Sequence, residues 1–353
     1  MSTERSETVD YARGLGIILV VYGHVVRGVL SAGFPLHKEP LSLVDSVIYS
    51  FHMPLFFFLS GMFFVGSLAR RGWGGLILNK IDTVFYPYIV WSLIQGLFEV
   101  AMSHFTNGHA TVGQVLALFW APRAQFWFLY TLFVIAVFAG AIYQRSDLRW
   151  TSGVLAIAVL LYIFRLSPID ADAFNLFGQW FVFFALGVSS SSLISRLLTQ
   201  RNLALAIAAA VFVSSQWVFH ETLGLRADSD APILRLLIAC AGIGFIVALG
   251  QRLAQFKCSW LAFLGRHSME IYLAHVIFGS GVRIVLHKFL GITDSGEHLA
   301  LGMLFGIGMP LVIAIFSKRI GCAWLFSPPQ LMRLDRRFRE ADSEAVPDPA
   351  RTL

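Results

Sequence analysis

The sequence predicts an all-α integral membrane protein with about ten transmembrane helices and both termini in the cytoplasm. Of its 353 residues, 57% are hydrophobic and 14% are charged, which is too little polar surface for a soluble protein of this size. Apolar runs of about 20 residues, the length that crosses roughly 30 Å of hydrocarbon, recur along the chain. The short loops between them alternate between basic and acidic.

Ten apolar runs satisfy this criterion, of which the fifth is the shortest. The first holds polar residues and lacks a small-residue cleavage site, so we expect a retained span and not a signal peptide. Residues 1–11 are expected to form a cytoplasmic N-terminus, 12–320 the membrane domain, and 321–353, rich in charge and Pro, a flexible cytoplasmic tail. The predicted spans are 12–32, 43–68, 81–103, 126–143, 151–166, 174–194, 202–219, 232–250, 259–286 and 298–317.

The charged residues of the loops predict the orientation, because Lys and Arg accumulate on the cytoplasmic side. Placing the basic loops there puts both termini in the cytoplasm. It also accounts for the net charge of +6 without a nucleic-acid partner. The three cysteines show neither metal spacing nor a disulfide framework, so no metal site is expected. The basic residues on this side are Arg5, Arg70, Arg71, Lys80, Arg145, Arg149, Arg196, Arg201, Arg252, Lys257, Lys318 and Arg319.

Two ionisable residues share one face of the first predicted span. Arg13 and His24 are eleven residues apart, which is close to three helical turns and about 16 Å along the axis. Arg13 is expected near the cytoplasmic mouth and His24 near the middle of the membrane. This spacing suits a ligand with an anionic head and a thin reactive arm, such as an acyl-coenzyme A.

The second predicted span carries another histidine at a matching depth. His52 and His24 are expected roughly 14 and 18 Å from opposite membrane faces, and these depths sum to about one bilayer thickness. On adjacent antiparallel helices the two imidazoles can meet at one level. Ionisable groups inside a membrane are rare and usually functional. The alternative is that each histidine makes only an interhelical packing contact. Arg27 is expected to extend to the outer interface.

These two segments resemble a known family. The string "RGLGIILVVYGH" begins at Arg13 and ends at His24, and "FHMPLFFFLSG" contains His52. Together they resemble the acyltransferase 3 family of membrane O-acyltransferases, with a closer likeness to its fucose 4-O-acetylase branch. Weaker matches are "KIDTVFYPYIVW", "QFWFLYTLF" and "LGRHSMEIYLAHVIF". The resemblance covers roughly residues 8–320.

The resemblance implies a ten-helix domain in the bacterial inner membrane. Such a domain transfers an acyl group from cytoplasmic acyl-CoA to a sugar hydroxyl of a surface or exported glycan, or of its lipid-linked precursor. Acetyl from acetyl-CoA is the default and succinyl is next; no permanently bound cofactor is expected. Arg13 and His24 match the family's functional pair, and His52 lies in its second motif. Membrane lipid and polysaccharide-assembly proteins are the remaining expected partners.

The expected chemistry assigns a role to each of these residues. His24 is the candidate base for the sugar hydroxyl, since an imidazole has a pKa near 6.5 in water. His52 either orients His24, holds the hydroxyl or stabilises the oxyanion. Direct transfer and a covalent acyl intermediate both remain open. The residues expected to bind coenzyme A phosphates are Arg13, Arg70, Arg71 and Lys80, although the last three also serve as plain topology signals.

The acceptor is expected on the outer side. Gln125 and Trp127 open the fourth predicted span and combine an amide with an aromatic face, which suits a sugar; an aromatic belt at the interface is the alternative. Glu99 lies near the outer end of the third span and either assists the acceptor or faces water. His275 lies deep in the ninth span, where the family match makes it a site residue and packing is the alternative.

Two other function classes fit a multi-span protein with charged groups in its spans. One is a transporter or flippase of a glycan or lipid precursor, although such proteins often show internal repeats and none is visible here. The other is a catalytically inactive accessory protein of surface-polysaccharide assembly. Loss of glycan assembly, and not only of its acylation, would distinguish these classes from an acyltransferase.

Overall fold

A computed structural model describes residues 3–34, 38–102, 110–144, 150–166, 172–190 and 201–335. Over these ranges the chain is built from helices joined by short turns and contains no strand. The α-helices are α1 (Thr3–Ser31), α2 (Lys38–Met62), α3 (Phe64–Lys80), α4 (Tyr86–Ala101), α5 (Val112–Leu116), α6 (Trp127–Tyr143), α7 (Thr151–Phe164), α8 (Asp172–Ser190), α9 (Arg201–Trp217), α10 (Pro232–Gln255), α11 (Ser259–Arg266), α12 (Ser268–Ile284) and α13 (Ser295–Arg319). Single π-helical turns at Ile81–Phe85, Val218–Thr222 and Val285–Phe289 extend α4, α9 and α12.

Within the described ranges, nine helical segments are long and apolar enough to cross a membrane. The fifth predicted run corresponds to α7, an apolar helix of 14 residues that is shorter than the others. The prediction of an all-α, multi-span membrane protein is therefore confirmed. The nine segments are Glu7–Ser31, Pro40–Met62, Phe64–Ala101, Val112–Tyr143, Ala173–Ser190, Asn202–Thr222, Pro232–Gln255, Ser268–Phe289 and Ser295–Arg319.

Helix α1 begins at Thr3, nine residues before the predicted start of the first span. The part of α1 around Thr8 and Asp10 packs against α10 and α11, where glycines allow the backbones to approach. A Cβ at Gly250 would lie 3.1 Å from the Thr8 carbonyl oxygen, and one at Gly265 would overlap the Asp10 backbone. Tertiary packing thus keeps this polar segment helical. Helix α1 also contacts α2, α12 and α13, so five helices surround it.

The ninth predicted span is divided at His267 into the short helix α11 and the longer helix α12. His267 has φ −102° and ψ 17°, which interrupts the helical path. The interruption separates two packing roles, because α11 packs on the first half of α1 and α12 packs along its second half. An apolar run read by hydropathy alone does not reveal such a break.

Helices α2 and α8 pack closely through reciprocal glycines. A Cβ at Gly61 would lie 2.1 Å from the Phe184 carbonyl oxygen, and one at Gly187 would lie 2.0 Å from the Phe58 carbonyl oxygen. Any side chain at either position would force the helices apart. The Ser60 hydroxyl donates to the Phe56 carbonyl within its own helix, at 2.8 Å. The "FFFLSG" segment therefore serves close packing and fixes the position of α2, which carries His52.

The first residues of the predicted flexible tail pack against α4. The Tyr86 hydroxyl donates to the Trp324 carbonyl oxygen at 2.9 Å, and the Trp91 indole N–H donates to the Leu325 carbonyl oxygen at 2.7 Å. The backbone N–H of Asp335 donates to a carboxylate oxygen of Asp82 at 3.0 Å. The rest of the tail, residues 336–353, lies outside the described residues.

Candidate active site

His24 and His275 meet inside the helix bundle. Their ring centroids are 5.0 Å apart and the rings are inclined by 65°, an edge-to-face contact. His24 lies on α1 and His275 on α12, so the contact joins residues about 250 positions apart. Gly279, one turn after His275, leaves room for Val25 of α1, which would lie 3.5 Å from a Cβ at that position. This small residue permits the close approach of the two helices.

The backbone of α12 fixes the orientation of the His275 ring. Nδ1 lies 2.8 Å from the Tyr272 carbonyl oxygen and 3.2 Å from the Ile271 carbonyl oxygen. Because carbonyl oxygens only accept hydrogen bonds, Nδ1 carries the proton and Nε2 presents a lone pair. Nε2 is buried and has no hydrogen-bond partner among the described residues. His275 is therefore ready to accept a hydrogen bond from a neighbouring group.

His52 is close to this pair but makes different contacts. Its Nδ1 donates to the Ile48 carbonyl oxygen at 2.9 Å, and its ring lies edge-on to Tyr49 with centroids 4.5 Å apart. His52 lies within electrostatic range of His24. In the described part of the chain, however, the ring that touches His24 is that of His275. The estimated depths in the membrane predicted that His52 and His24 lie at one level. They did not predict which way each side chain points around its helix axis.

A cluster of cations lies at the N-terminal end of α1. Lys80 is within electrostatic range of both Arg13 and Arg71. The Nε of Arg71 is buried and has no hydrogen-bond partner among the described residues. We call Arg13, Arg71 and Lys80 the cation cluster. Arg70 is exposed and does not belong to it. No ion pair joins the cluster to a described carboxylate.

A glycine interrupts α3 between two of these cations. Gly72 interrupts the helix with φ 65° and ψ 175°, a conformation that residues with a Cβ rarely adopt. The chain changes direction there, between Arg71 and Lys80. A continuous helix would place these two side chains, nine residues apart, about 13.5 Å apart along one axis. The interruption is therefore part of the local architecture of the cluster.

A cavity of about 510 Å³ lies at the other end of the bundle, between α4, α5 and α12. Arg283 lines it and lies against Gly28 of α1, so the cavity is near the C-terminal end of that helix. We call it the outer cavity, following the predicted orientation. Within its lining, Arg123 forms an ion pair with Glu99 at 2.9 Å. Its polar lining residues are Gln95, Glu99, Gln114, Arg123, Ser280 and Arg283.

The residues predicted to bind the acceptor are distributed over this region. Glu99 lines the outer cavity. Gln125 is buried behind it and donates to Gln95 at 2.6 Å, and Gln95 in turn donates to Glu99 at 3.0 Å. Trp127 packs in an aromatic cluster, with its ring centroid 4.8 Å from that of Trp180. Glu99 is therefore placed to touch a ligand, whereas Gln125 supports the lining through Gln95.

A small cavity of about 40 Å³ is lined by the two histidines and shares lining residues with the outer cavity. His24, His275, His298, Ser280 and Arg283 contribute to its lining, and the last two also line the outer cavity. Its volume is sufficient for one water-sized group, such as a hydroxyl. A ligand in the outer cavity can thus direct one hydroxyl towards His24 and His275.

A further cavity of about 300 Å³ lies beside α2, α7, α8 and α10. Its lining includes Tyr49, Tyr162, Trp180, Arg165 and Arg235. None of the residues that line it also lines the outer cavity or the small cavity. Substitutions in this second cavity therefore provide controls for changes in the outer one.

Sequence reasoning missed Gln95 and Arg283 as site residues. Arg283 is a charge in the predicted ninth span, eight residues after His275, so the argument about ionisable groups in membranes applied to it as well. Gln95 carries no charge, and only the folded chain shows that it bridges Glu99 and Gln125.

Comparisons with known proteins place this site in context. A sequence model described as an acyltransferase domain matches residues 7–318. The chain is 28% identical over 190 residues to nodulation protein NolL of Sinorhizobium fredii (strain NBRC 101917 / NGR234), covering 53% of this chain and 49% of the relative. It is 23% identical over 187 residues to nodulation protein NolL of Mesorhizobium japonicum (strain LMG 29417 / CECT 9101 / MAFF 303099), covering 53% and 48%. The match thus spans about half the length of these curated relatives. No solved structure matches the chain.

Proposed function

The chain belongs to the acyltransferase domain family, and from this premise we propose that it is a membrane O-acyltransferase. It moves an acyl group from acyl-CoA to a sugar hydroxyl of a surface or exported glycan, or of its lipid-linked precursor. The resemblance to the fucose 4-O-acetylase branch leads us to propose acetyl as the acyl group. The proposed location is the bacterial inner membrane, with both termini in the cytoplasm.

One arrangement carries this proposal: His24 lies between the cation cluster and the outer cavity. Arg13 and His24 belong to the same continuous helix, so about 16 Å separates their positions along its axis. The phosphates of coenzyme A fit the cation cluster, and its thin arm is long enough to bring the thioester to His24. On the other side, the small cavity leads from His24 to the outer cavity. Donor and acceptor therefore approach the same imidazole from opposite ends.

The proposed reaction is direct transfer at His24. The imidazole takes the proton of the sugar hydroxyl as its oxygen attacks the thioester carbonyl. The carbon–sulfur bond of the resulting tetrahedral intermediate then breaks. The imidazolium gives its proton to the departing coenzyme A thiolate. The products are the sugar ester and free coenzyme A, and His24 returns to its neutral form. A site at which donor and acceptor are proposed to meet favours this route over an acyl-enzyme.

His275 and His52 support His24 in this scheme. The His275 Nε2 lone pair can accept an N–H from His24 and leave the second His24 nitrogen free for the hydroxyl. We therefore assign His275 as a positioning residue. His52 has its Nδ1 bound to its own helix and lies within electrostatic range of His24 without lining the small cavity. This favours an orienting role for His52 among the three possibilities.

The test compares surface glycans from the wild-type strain, a deletion strain and the deletion strain complemented with His24→Ala. Mass spectrometry before and after mild base detects esters. We expect an acetyl-sized, base-labile group in the wild type that both other strains lack. If the glycan itself disappears from the surface in the deletion strain, a transporter or assembly role is supported instead. Persistent acylation in the complemented strain would refute the role of His24.

A further inference from the structure

We propose that Arg283 makes the outer cavity selective for acceptors with an anionic group, a carboxylate or a phosphate, close to the hydroxyl that is acylated. This inference rests on the proposed function, because it names the class of acceptor that the same site takes. Three features of Arg283 support it: its position, its missing counter-charge and its distance from the histidines.

Arg283 lines both cavities, so it stands at their junction. Its guanidinium lies across the backbone of α1 at Gly28, where a Cβ would be 2.3 Å from Nη1. Glycine at this position leaves the space that the guanidinium occupies. The close contact directs the charged end of Arg283 towards α1, the helix that carries His24.

Arg283 lacks the counter-charge that its neighbours have. At the same end of the bundle, Arg123 pairs with Glu99 at 2.9 Å and Arg27 pairs with Asp45 at 2.8 Å. Among the described residues, Arg283 has neither an ion-pair nor a hydrogen-bond partner. Since Glu99 is neutralised by Arg123, the guanidinium of Arg283 is the uncompensated charge of the described cavity lining.

An unpaired cation that is partly removed from water is costly, and an anionic ligand reduces that cost. A guanidinium suits this role because its planar N–H groups bind a carboxylate or phosphate with two parallel hydrogen bonds. The remaining polar groups of the cavity, Gln95, Gln114 and Ser280, offer neutral hydrogen-bonding partners to sugar hydroxyls. The lining thus combines one site for an anion with several for a carbohydrate.

The position of Arg283 relative to His275 limits where the anion lies. The two residues are eight positions apart on α12, about 12 Å along the axis. Side chains on a helix lean towards its N-terminus, so the guanidinium extends towards His275 and shortens this gap. The anion and the reacting hydroxyl are therefore within about one sugar residue of each other. An acidic sugar and a sugar attached to a phosphate both meet this requirement.

The test measures binding to the full-length protein purified in detergent, without acyl-CoA. The probes are methyl glucoside, methyl glucuronoside and glucose 1-phosphate, and the readout is the concentration that gives half of the maximal thermal stabilisation. We expect at least one anionic probe to act at a concentration at least tenfold lower than the neutral glucoside. R283Q should abolish this preference, and R235Q in the second cavity should leave it unchanged. R283K keeps the charge but not the paired N–H groups, so it should retain only part of the preference.

The two anionic probes identify the source of the charge. A preference for the glucuronoside alone indicates a carboxylate on the acceptor, and a preference for glucose 1-phosphate alone indicates a phosphate. The inference is overturned if wild type binds the neutral glucoside as tightly as both anionic probes, or if R283Q keeps the preference while its unliganded melting temperature matches that of wild type.

A separate arm adds acetyl-CoA and follows ester formation on the preferred probe. An Arg283-dependent preference without any transfer would count against the proposed function and leave the anion site standing. Transfer without a charge preference would count against the anion site and leave the proposed function standing.

Discussion

His24 and His275 lie edge to face with their ring centroids 5.0 Å apart, although they come from the first and twelfth α-helices described. The backbone of α12 holds the Nδ1 proton of His275, and this leaves the buried Nε2 as an acceptor. In the proposed mechanism the two rings therefore have unequal roles. His24 exchanges the proton with the substrates, whereas His275 holds His24 in position.

Replacing His275 should reduce turnover without weakening donor binding. For His275→Leu we expect kcat to fall by roughly 100-fold, the lower range for loss of an oriented acid–base group, with little change in the KM for acetyl-CoA. His275→Gln, whose amide oxygen can replace the Nε2 acceptor, should recover part of the loss. The measurement is steady-state acetyl transfer by purified variants with matching melting temperatures.

A double variant then separates a shared role from two independent ones. If His275 acts through His24, adding His275→Leu to His24→Ala should cause little further loss, because residues that act as a unit are not additive. Full additivity of the two losses would show that His275 acts independently of His24. A loss in Leu and Gln variants that is confined to protein stability would also contradict the positioning role.

The cation cluster should determine how tightly the donor binds. Lys80→Gln is expected to raise the KM for acetyl-CoA by about tenfold, since one charge-assisted contact to a phosphate contributes about 1.4 kcal/mol or more. Arg71→Gln should act in the same direction and more strongly than Arg70→Gln, because Arg71 lies in range of Lys80 and Arg70 is exposed.

Arg319→Gln provides the matched control for these variants. Arg319 is a basic residue in the last turn of α13, outside the cation cluster, and its guanidinium lies 5.7 Å from the Phe316 ring centroid. It should leave the KM for acetyl-CoA unchanged. Equal effects of Arg319→Gln and Lys80→Gln would mean that general positive charge, and not the cluster, attracts the donor.

The Glu99–Arg123 ion pair should influence the acceptor and not the donor. Glu99→Gln removes the negative charge that pairs with Arg123. It also leaves one accepting oxygen where the carboxylate offered two, one to Arg123 and one to Gln95, in the wall of the outer cavity. We expect a several-fold change in the KM for the acceptor and no change in the KM for acetyl-CoA, measured by varying each substrate at saturating concentrations of the other. A change confined to the KM for acetyl-CoA would mean that the acceptor binds outside this cavity.

Much of the architecture could be predicted because a bilayer imposes length and polarity on each span. The runs at 126–143, 232–250 and 298–317 correspond closely to α6, α10 and α13 for this reason. The early start of α1 could not be read from hydropathy, since contacts with Gly250 and Gly265 keep its polar residues helical.

The geometry of the candidate site could be predicted only in part from the sequence. Arg13 and His24 lie on one helix, so their separation follows from helical geometry. Contacts between helices depend on direction around each axis, which depth does not provide. The sequence therefore predicted proximity of His24 to His52 but not the direct contact with His275. Arg283 likewise became a site residue only when packing against Gly28 placed it at the junction of two cavities.

The close contact between α2 and α8 predicts that adding one methyl group at Gly61 strongly lowers stability. Gly61→Ala would place a Cβ 2.1 Å from the Phe184 carbonyl oxygen, so the helices must separate. We expect a loss of about 1–3 kcal/mol in the free energy of unfolding, the usual range for overpacking, seen as a lower melting temperature in detergent. Gly308→Ala in α13 is the control, because nothing lies within 4 Å of its added Cβ. Equal melting temperatures for the two variants would contradict this packing.

The most direct test of the central claim measures acyl transfer by purified His24→Ala in lipid nanodiscs, with acetyl-CoA and the acceptor that wild type uses. We expect an inserted protein with a wild-type melting temperature, a wild-type KM or dissociation constant for acetyl-CoA, and a transfer rate reduced by at least 100-fold. A His24→Ala variant that transfers the acyl group at a rate near that of wild type would contradict the claim that His24 is the base at the meeting point of donor and acceptor.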